Sequence, residues 1–381
     1  MFQKIYLLIL CALNIQPGQR CTLNTRIHFG EPLPVILRNN RILEPDDNNG
    51  NIILSSGDAL TLSCQGAGFI NHPDIKDHRE VATISCEGGD NFRNDDCRRT
   101  NRTCFEGYPI IEVGYTINDQ FYPVYESCFD DVHFNAVYSK YTQKPYNALY
   151  QTRVERPFFL DNNNYETIPV ERLFSPPSQK AAVAQRVGPI VESYITKNEL
   201  LSRGHLAAKT DFVFAFTERA TFHYVNCAPQ WTGFNGGNWN TLEVDLRNHI
   251  HSAGYDTIIY TGTFGITQLA DNFGRRVDLH LYTDKNNNPV IPIPQYFYKV
   301  VYEPRTKRGI AYVGINNPYY TRAEAQELFF CADICRNSSG FGWLTWHPDN
   351  PAEGYTFCCS IPDFKDTVHH LPYFEVGGLL I

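Results

Sequence analysis

Apolar positions in the first third of the chain come as short runs, 51–54, 59–63 and 81–85, set off by Asn, Asp, Gly and Pro. Short β-branched runs bounded by turn formers predict strands, so residues 20–126 are expected to form a small all-β module. Beyond residue 127 the pattern mixes. Residues 181–200 have helical composition, whereas 256–262, 296–302 and 309–314 are Ile-, Val- and Tyr-rich runs expected as buried strands. Trp239, Leu242, Leu246 and Ile250 recur at helical spacing, which predicts an amphipathic helix over 238–252 ended by Gly254. The expected fold class is α+β, with a mixed central sheet in 127–381 behind the β module.

Composition changes this picture little. With 381 residues, 43% hydrophobic and 14% aromatic, the chain can bury one large core or two ordinary ones, which excludes a disordered protein. The N-terminus adds a location. Lys4 followed by the apolar stretch 5–15 has the form of a secretory signal peptide, expected to occupy 1–19 and too short to span a bilayer.

Export makes the cysteines readable as disulfides. Apart from Cys11 in the leader they are Cys21, Cys64, Cys86, Cys97, Cys104, Cys128, Cys227, Cys331, Cys335, Cys358 and Cys359. Cys331 and Cys335 against Cys358 and Cys359 predict two bridges, with a zinc site as the alternative. The odd count leaves one thiol over, and Cys227 is a candidate. Asn101-Arg102-Thr103 and Asn337-Ser338-Ser339 are glycosylation sequons, expected on exposed loops.

The net charge of −8 would oppose a polyanionic partner if it were evenly spread. It is not. Residues 22–126 hold 16 acidic and 9 basic side chains, and residues 127–381 hold 25 and 22, with Lys4 and Arg20 left to the N-terminal segment. The larger region is close to neutral and has room for a local basic groove, so charge excludes no partner class.

Candidate chemistry concentrates in 202–247. Ser202-Arg203-Gly204-His205 is followed by Asn226-Cys227-Ala228-Pro229-Gln230, by Asn235, and by Glu243 and Arg247 on the expected helix. Glu243 and Arg247 are four apart and share a face; taken alone they are a helix ion pair worth about 0.2–0.5 kcal/mol. His205 follows a glycine that allows a tight turn, and a neutral imidazole is a suitable base for drawing a proton from water. Tyr224, Trp231, Phe234 and Trp239 read first as core, with base stacking as the alternative.

Order and spacing together resemble the DNA/RNA non-specific endonucleases of the ββα-metal (His-Me finger) class. The matching pieces are Arg203-Gly204-His205, Asn226 with Pro229-Gln230, Asn235, and Trp239-Asn240-Thr241-Leu242-Glu243 with Arg247. The segments 259–262 and 293–300 fit that family's central sheet, and the likeness covers roughly 130–370. Secretion, the extra N-terminal module and Ser202 in place of the motif aspartate look most like the arthropod branch, which includes double-stranded ribonucleases.

The resemblance implies a ββα-metal nuclease domain that cuts RNA and DNA without sequence preference, leaving 5′-phosphates. It implies His205 as general base and Asn235 as the direct protein ligand of a largely hydrated Mg²⁺, with Mn²⁺ as a substitute. Glu243 would hold a metal-bound water and Arg247 the phosphate. A second, upstream arginine matches Arg156, with Arg153 the alternative. Arg203, Asn226 and Gln230 are expected on the substrate side, Asn226 also positioning the metal-site loop. The serine at position 202 keeps a second outcome open, a secreted nucleic-acid binder with little turnover.

Overall fold

The structure, a computed structural model, describes residues 20–29, 35–55, 58, 60–63, 95–336 and 338–381. The expected leader, the run 81–85, Cys64, Cys86 and Asn337 lie outside the described residues.

A nine-stranded sheet organises the molecule. Eight strands run from edge to edge in the order Thr356–Cys359, Arg308–Ile315, Pro294–Glu303, Thr257–Ile266, Asn135–Gln143, Gln120–Asp130, Pro109–Ile117 and Asp95–Thr103. All of these neighbours are antiparallel. Gly378–Leu379 pairs parallel to Arg308–Ile315, and the expected mixed sheet is mixed through that short strand alone. The three central runs read from the sequence are each a strand, a little longer than expected because β pairing continues past the apolar stretch.

Two expectations need correction. The boundary placed between residues 126 and 127 falls inside the strand Gln120–Asp130, and the same sheet already begins at Asp95. A Cys104–Cys128 disulfide closes this meander. Turn-rich punctuation is the same in a meander at a sheet's edge as in a separate module, so the pattern carries no boundary. What forms sheets of its own is smaller, a ribbon of Arg20–Asn24 with Asn51–Ser55 and a three-stranded sheet centred on Val35–Arg38, and both pack on the common core. The second correction is the helix expected over 181–200. It spans Pro176–Val187 and stops at Gly188, whose φ of 74° precedes Pro189 and breaks the helix.

Alternation along the central strands divides the core in two. Phe297 and Val301 face one cluster, with Trp239, Leu242, Leu246 and Ile250 of the helix Asn240–Ala253 and its preceding turn. Tyr298 and Val300 face the other, with Phe357, Phe364 and Leu371. The helix ends as its sequence predicts. Gly254 takes a left-handed conformation and its N–H caps the Ile250 carbonyl. Adjacent Cys358 and Cys359 point to opposite faces, so their bridges to Cys335 and Cys331 hold the 331–335 loop around the edge strand. Cys227 is a buried thiol outside these bridges, and burial pushes its pKa up to about 12.

Candidate active site

The site begins with a two-stranded ribbon. Leu201–His205 runs antiparallel to Cys227–Trp231, with Ser202 opposite Gln230 and His205 opposite Cys227. Gly204 is required at this crossing. A Cβ there would lie 2.3 Å from the Gln230 Oε1 and 2.6 Å from its Cβ. The return strand leads through Thr232–Phe234 and a π-helical turn, Asn235–Trp239, into the helix Asn240–Ala253. Strand, strand and helix thus follow in the order the motif implies. The π turn places Asn235 against the histidine strand.

One hydrogen-bond chain fixes the Asn235 side chain. The Ser202 hydroxyl donates to the Gln230 carbonyl at 2.9 Å, so its oxygen acts as acceptor toward Asn235, whose Nδ2 donates at 2.9 Å. The amide therefore turns its nitrogen to Ser202 and its Oδ1 away, with no described donor on that oxygen. Glu243, one helical face further on, is partly exposed and its carboxylate makes no hydrogen bond to a described residue. Two oxygen donors left in this way suit a hard cation that keeps several of its waters. The residues present fit the divalent ion that the motif implies.

His205 sits at the far end of the same strand, three residues from Ser202, which is about 10 Å along an extended chain. Its ring packs against Phe159 at 5.0 Å and Phe222 at 4.8 Å, and its Nε2 is buried. Arg203 lies in a neighbouring aromatic cage. Its guanidinium is 4.9 Å from the Phe174 ring centre, and its Nε donates to the Tyr224 hydroxyl at 2.9 Å.

Asn226 and Gln230 differ from expectation. Both are fully buried. Asn226 accepts from the Ser139 hydroxyl and the Ala207 N–H, and donates to the Ala207 and Thr221 carbonyls. No part of its amide remains for a substrate, and its part is to brace the loop after His205. Gln230 fills the space over Gly204, and neither its amide oxygen nor its amide nitrogen has a hydrogen-bond partner among the described residues.

Below the helix lies a buried charge network that the sequence reading missed. Asp211 accepts from Arg247 Nε at 3.0 Å, from the Tyr141 hydroxyl at 2.6 Å and from Gln143 at 3.2 Å. Lys299, fully buried, donates to Tyr141 and Thr261, and its Nζ is 3.8 Å from Asp211. Burial lowers the Lys299 pKa, which Asp211 and Glu243 oppose. Arg247 is only 3% exposed, and its Nη2 donates to Thr210. Two of its three nitrogens are thus engaged within the protein. Lys299 was legible as a charge inside an apolar strand run; nothing in the local sequence marks Asp211.

Burial also acts on Glu243, raising its carboxyl to about 7, with Asp211 adding to the rise and the positive charges of Lys299, Arg247 and Arg156 opposing it. Arg156 is exposed, and its positive charge is one of those acting on Glu243. Tyr224, Trp231, Phe234 and Trp239 are all buried, as core packing requires. His249 stacks on Trp343 at 4.2 Å, and His370, lowered to about 4 by burial, is bonded to Tyr298.

The chain is similar to several known proteins. A salivary endonuclease of Lutzomyia longipalpis is 26% identical over 82% of this chain and 73% of its own length. Salivary protein Tsal2A of Glossina morsitans morsitans is 25% identical over 92% of each chain. A salivary endonuclease of Culex quinquefasciatus is 32% identical over 41% of each. Among solved structures, the EndoG/EndoGI complex aligns with a TM-score of 0.42 and 16% identity, covering 68% of this chain and 89% of that one. The family profile described as DNA/RNA non-specific endonuclease matches residues 106–364, starting in the meander that the sequence had assigned to a separate module. With most of its length matched, the chain belongs to the DNA/RNA non-specific endonuclease family, whose members are divalent-metal-dependent nucleases.

Proposed function

We propose that this protein is a secreted endonuclease that uses Mg²⁺, or Mn²⁺ in its place, to hydrolyse phosphodiesters in RNA, including double-stranded RNA, and in DNA. The observation that carries the reading is the Ser202–Asn235 pair, which turns the Asn235 amide nitrogen to the ribbon and leaves its oxygen for an ion, ahead of the helix that carries Glu243. Asn235 would hold the ion directly and Glu243 one of its waters. When bound, the ion supplies charge neutralisation at the scissile phosphate and at the leaving oxygen.

The chain's own residues do the rest. His205 takes a proton from the attacking water. Arg156 meets the phosphate from the solvent side and Arg247 from beneath. Arg203 stays in its cage, where Tyr224 holds the guanidinium near the histidine strand. Backbone contacts of this kind carry little sequence information, in keeping with a non-specific cut. The salivary relatives and the disulfides support export.

A second reading, nucleic-acid binding with little turnover, is favoured by one observation, the burial of His205 Nε2 beside Phe159 and Phe222. One experiment separates the two. Purified protein with Mg²⁺ is expected to degrade duplex RNA, EDTA to stop it, and His205→Ala to abolish cleavage while sparing the gel shift. A shift that persists with no cleavage on adding Mg²⁺ or Mn²⁺ selects the binder.

A further inference from the structure

Asn238 lies three residues after Asn235 in the π turn and is fully buried. Its hydrogen bonds leave the turn. The amide nitrogen donates to the carbonyls of His347 at 2.8 Å and Gly354 at 2.5 Å, and the amide oxygen accepts from the His347 N–H at 2.7 Å. Its backbone N–H donates to the Glu353 carbonyl at 3.0 Å. Both ends of the 347–354 loop are thus tied to one residue. Two glycines make the contact close. Gly237 breaks the helical backbone, with φ −93° and ψ −118°, and a Cβ there would lie 2.7 Å from the Glu353 Cα. Gly354 has a φ of 89°, and a Cβ on it would lie 2.3 Å from the Phe234 ring. The loop is itself anchored. Arg336 donates to both Asp349 oxygens, at 3.0 and 2.8 Å, and the chain runs on into the disulfide-held strand Thr356–Cys359.

A π turn is an uncommon backbone arrangement, and the Gly236-Gly237 pair in this one contributes conformational freedom rather than stiffness. The bend that presents Asn235 is therefore imposed from outside the turn. Ser202 holds the Asn235 amide, but a side-chain bond alone does not fix where the backbone carries that amide. We infer that Asn238 is the positioning residue for Asn235: by clasping the π turn to the 347–354 loop, it sets the backbone from which the Asn235 oxygen meets a divalent cation. The inference rests on the ligand role proposed for Asn235. Small displacements matter there, because a ligand constellation has to be held to within about 0.5 Å. The geometry of the cation site thereby depends on a loop that begins 109 residues further along the chain.

The test is Mn²⁺ binding by isothermal titration without nucleic acid, so that turnover plays no part. Asn238→Ala is expected to weaken Mn²⁺ binding about tenfold, as the loss of a group that orients a ligand does. Asn317→Ala supplies the matched control. Asn317 is also fully buried, donates to the Thr267 hydroxyl and the Gln268 carbonyl and accepts from the Tyr319 N–H, and none of these bonds reaches the π turn. Its loss should lower stability in urea comparably while Mn²⁺ binds as to wild type. Gly237→Ala keeps the Asn238 amide but drives the turn off Glu353; it is expected to weaken Mn²⁺ binding in the same way, and it serves where Asn238→Ala does not fold. Wild-type Mn²⁺ affinity in Asn238→Ala or Gly237→Ala, or an equal loss in Asn317→Ala, overturns the proposal. Failure of the ligand assignment looks different: Asn235→Ala would itself bind Mn²⁺ as tightly as wild type.

Discussion

Arg156 and Arg247 both bear on Glu243, one from solvent and one from beneath the helix, and the two regions they belong to are built on opposite principles. The rim holds Asn235, Ser202 and Arg156, groups that are at least partly exposed and make few bonds to one another. The floor holds Asp211, Arg247, Lys299 and Tyr141, groups that satisfy each other out of water. A rim residue can be removed at little cost to folding and large cost to ligand binding. For a floor residue the order reverses, because an uncompensated buried charge is expensive.

The widest separation between rim and floor is expected at Asp211. Asp211→Ala strands the Arg247 and Lys299 cations and should lower unfolding free energy by about 3–5 kcal/mol, measured by urea denaturation. A loss within 1 kcal/mol would mean that solvent already reaches the network. Next comes Asn235→Ala, expected to cut activity about a hundredfold or more with an unfolding midpoint near wild type. Any comparable loss of stability would move Asn235 into the floor.

Ser202→Ala should then weaken divalent-ion affinity by about tenfold, the effect typical of a group that orients a ligand, and isothermal titration reads it directly. The pH effect is of the same size. Glu243 carries a charge only above about 7 in the metal-free protein, so Mg²⁺ binding should release a proton and be roughly tenfold weaker at pH 6 than at pH 8. In Glu243→Gln that dependence should flatten; if it persists, another group is responsible.

Local rules carried much of this from the sequence. The helix stop at Gly254 and the central strands follow from spacing and sterics that act within a few residues; Gly204 does not, since it lies in a strand against Gln230 where a tight turn was expected. That two bridges tie Cys331 and Cys335 to the adjacent Cys358 and Cys359 was also legible, because cysteines side by side suit one metal poorly; which pairs with which was set by the strand, whose neighbours face opposite ways. Asp211 was not legible. Its partners are Tyr141, Arg247 and Lys299, drawn from three distant parts of the chain, and no local pattern brings them together. The same holds for Asn226, whose four bonds to Ser139, Ala207 and Thr221 turn an expected substrate contact into a brace. Long-range burial decides such roles, and composition does not report it.

The loop held around the strand Thr356–Cys359 also has a bearing on solubility. That strand ends the sheet, and an uncovered end would offer its free amides and carbonyls to another molecule. Here Ile334 donates to the Cys358 carbonyl and Asp333 accepts from the Cys358 N–H, each at 3.1 Å. Two covalent links keep that cover in place. Reducing conditions would therefore do more than loosen a loop: they would unmask a template on which one copy can recruit the next.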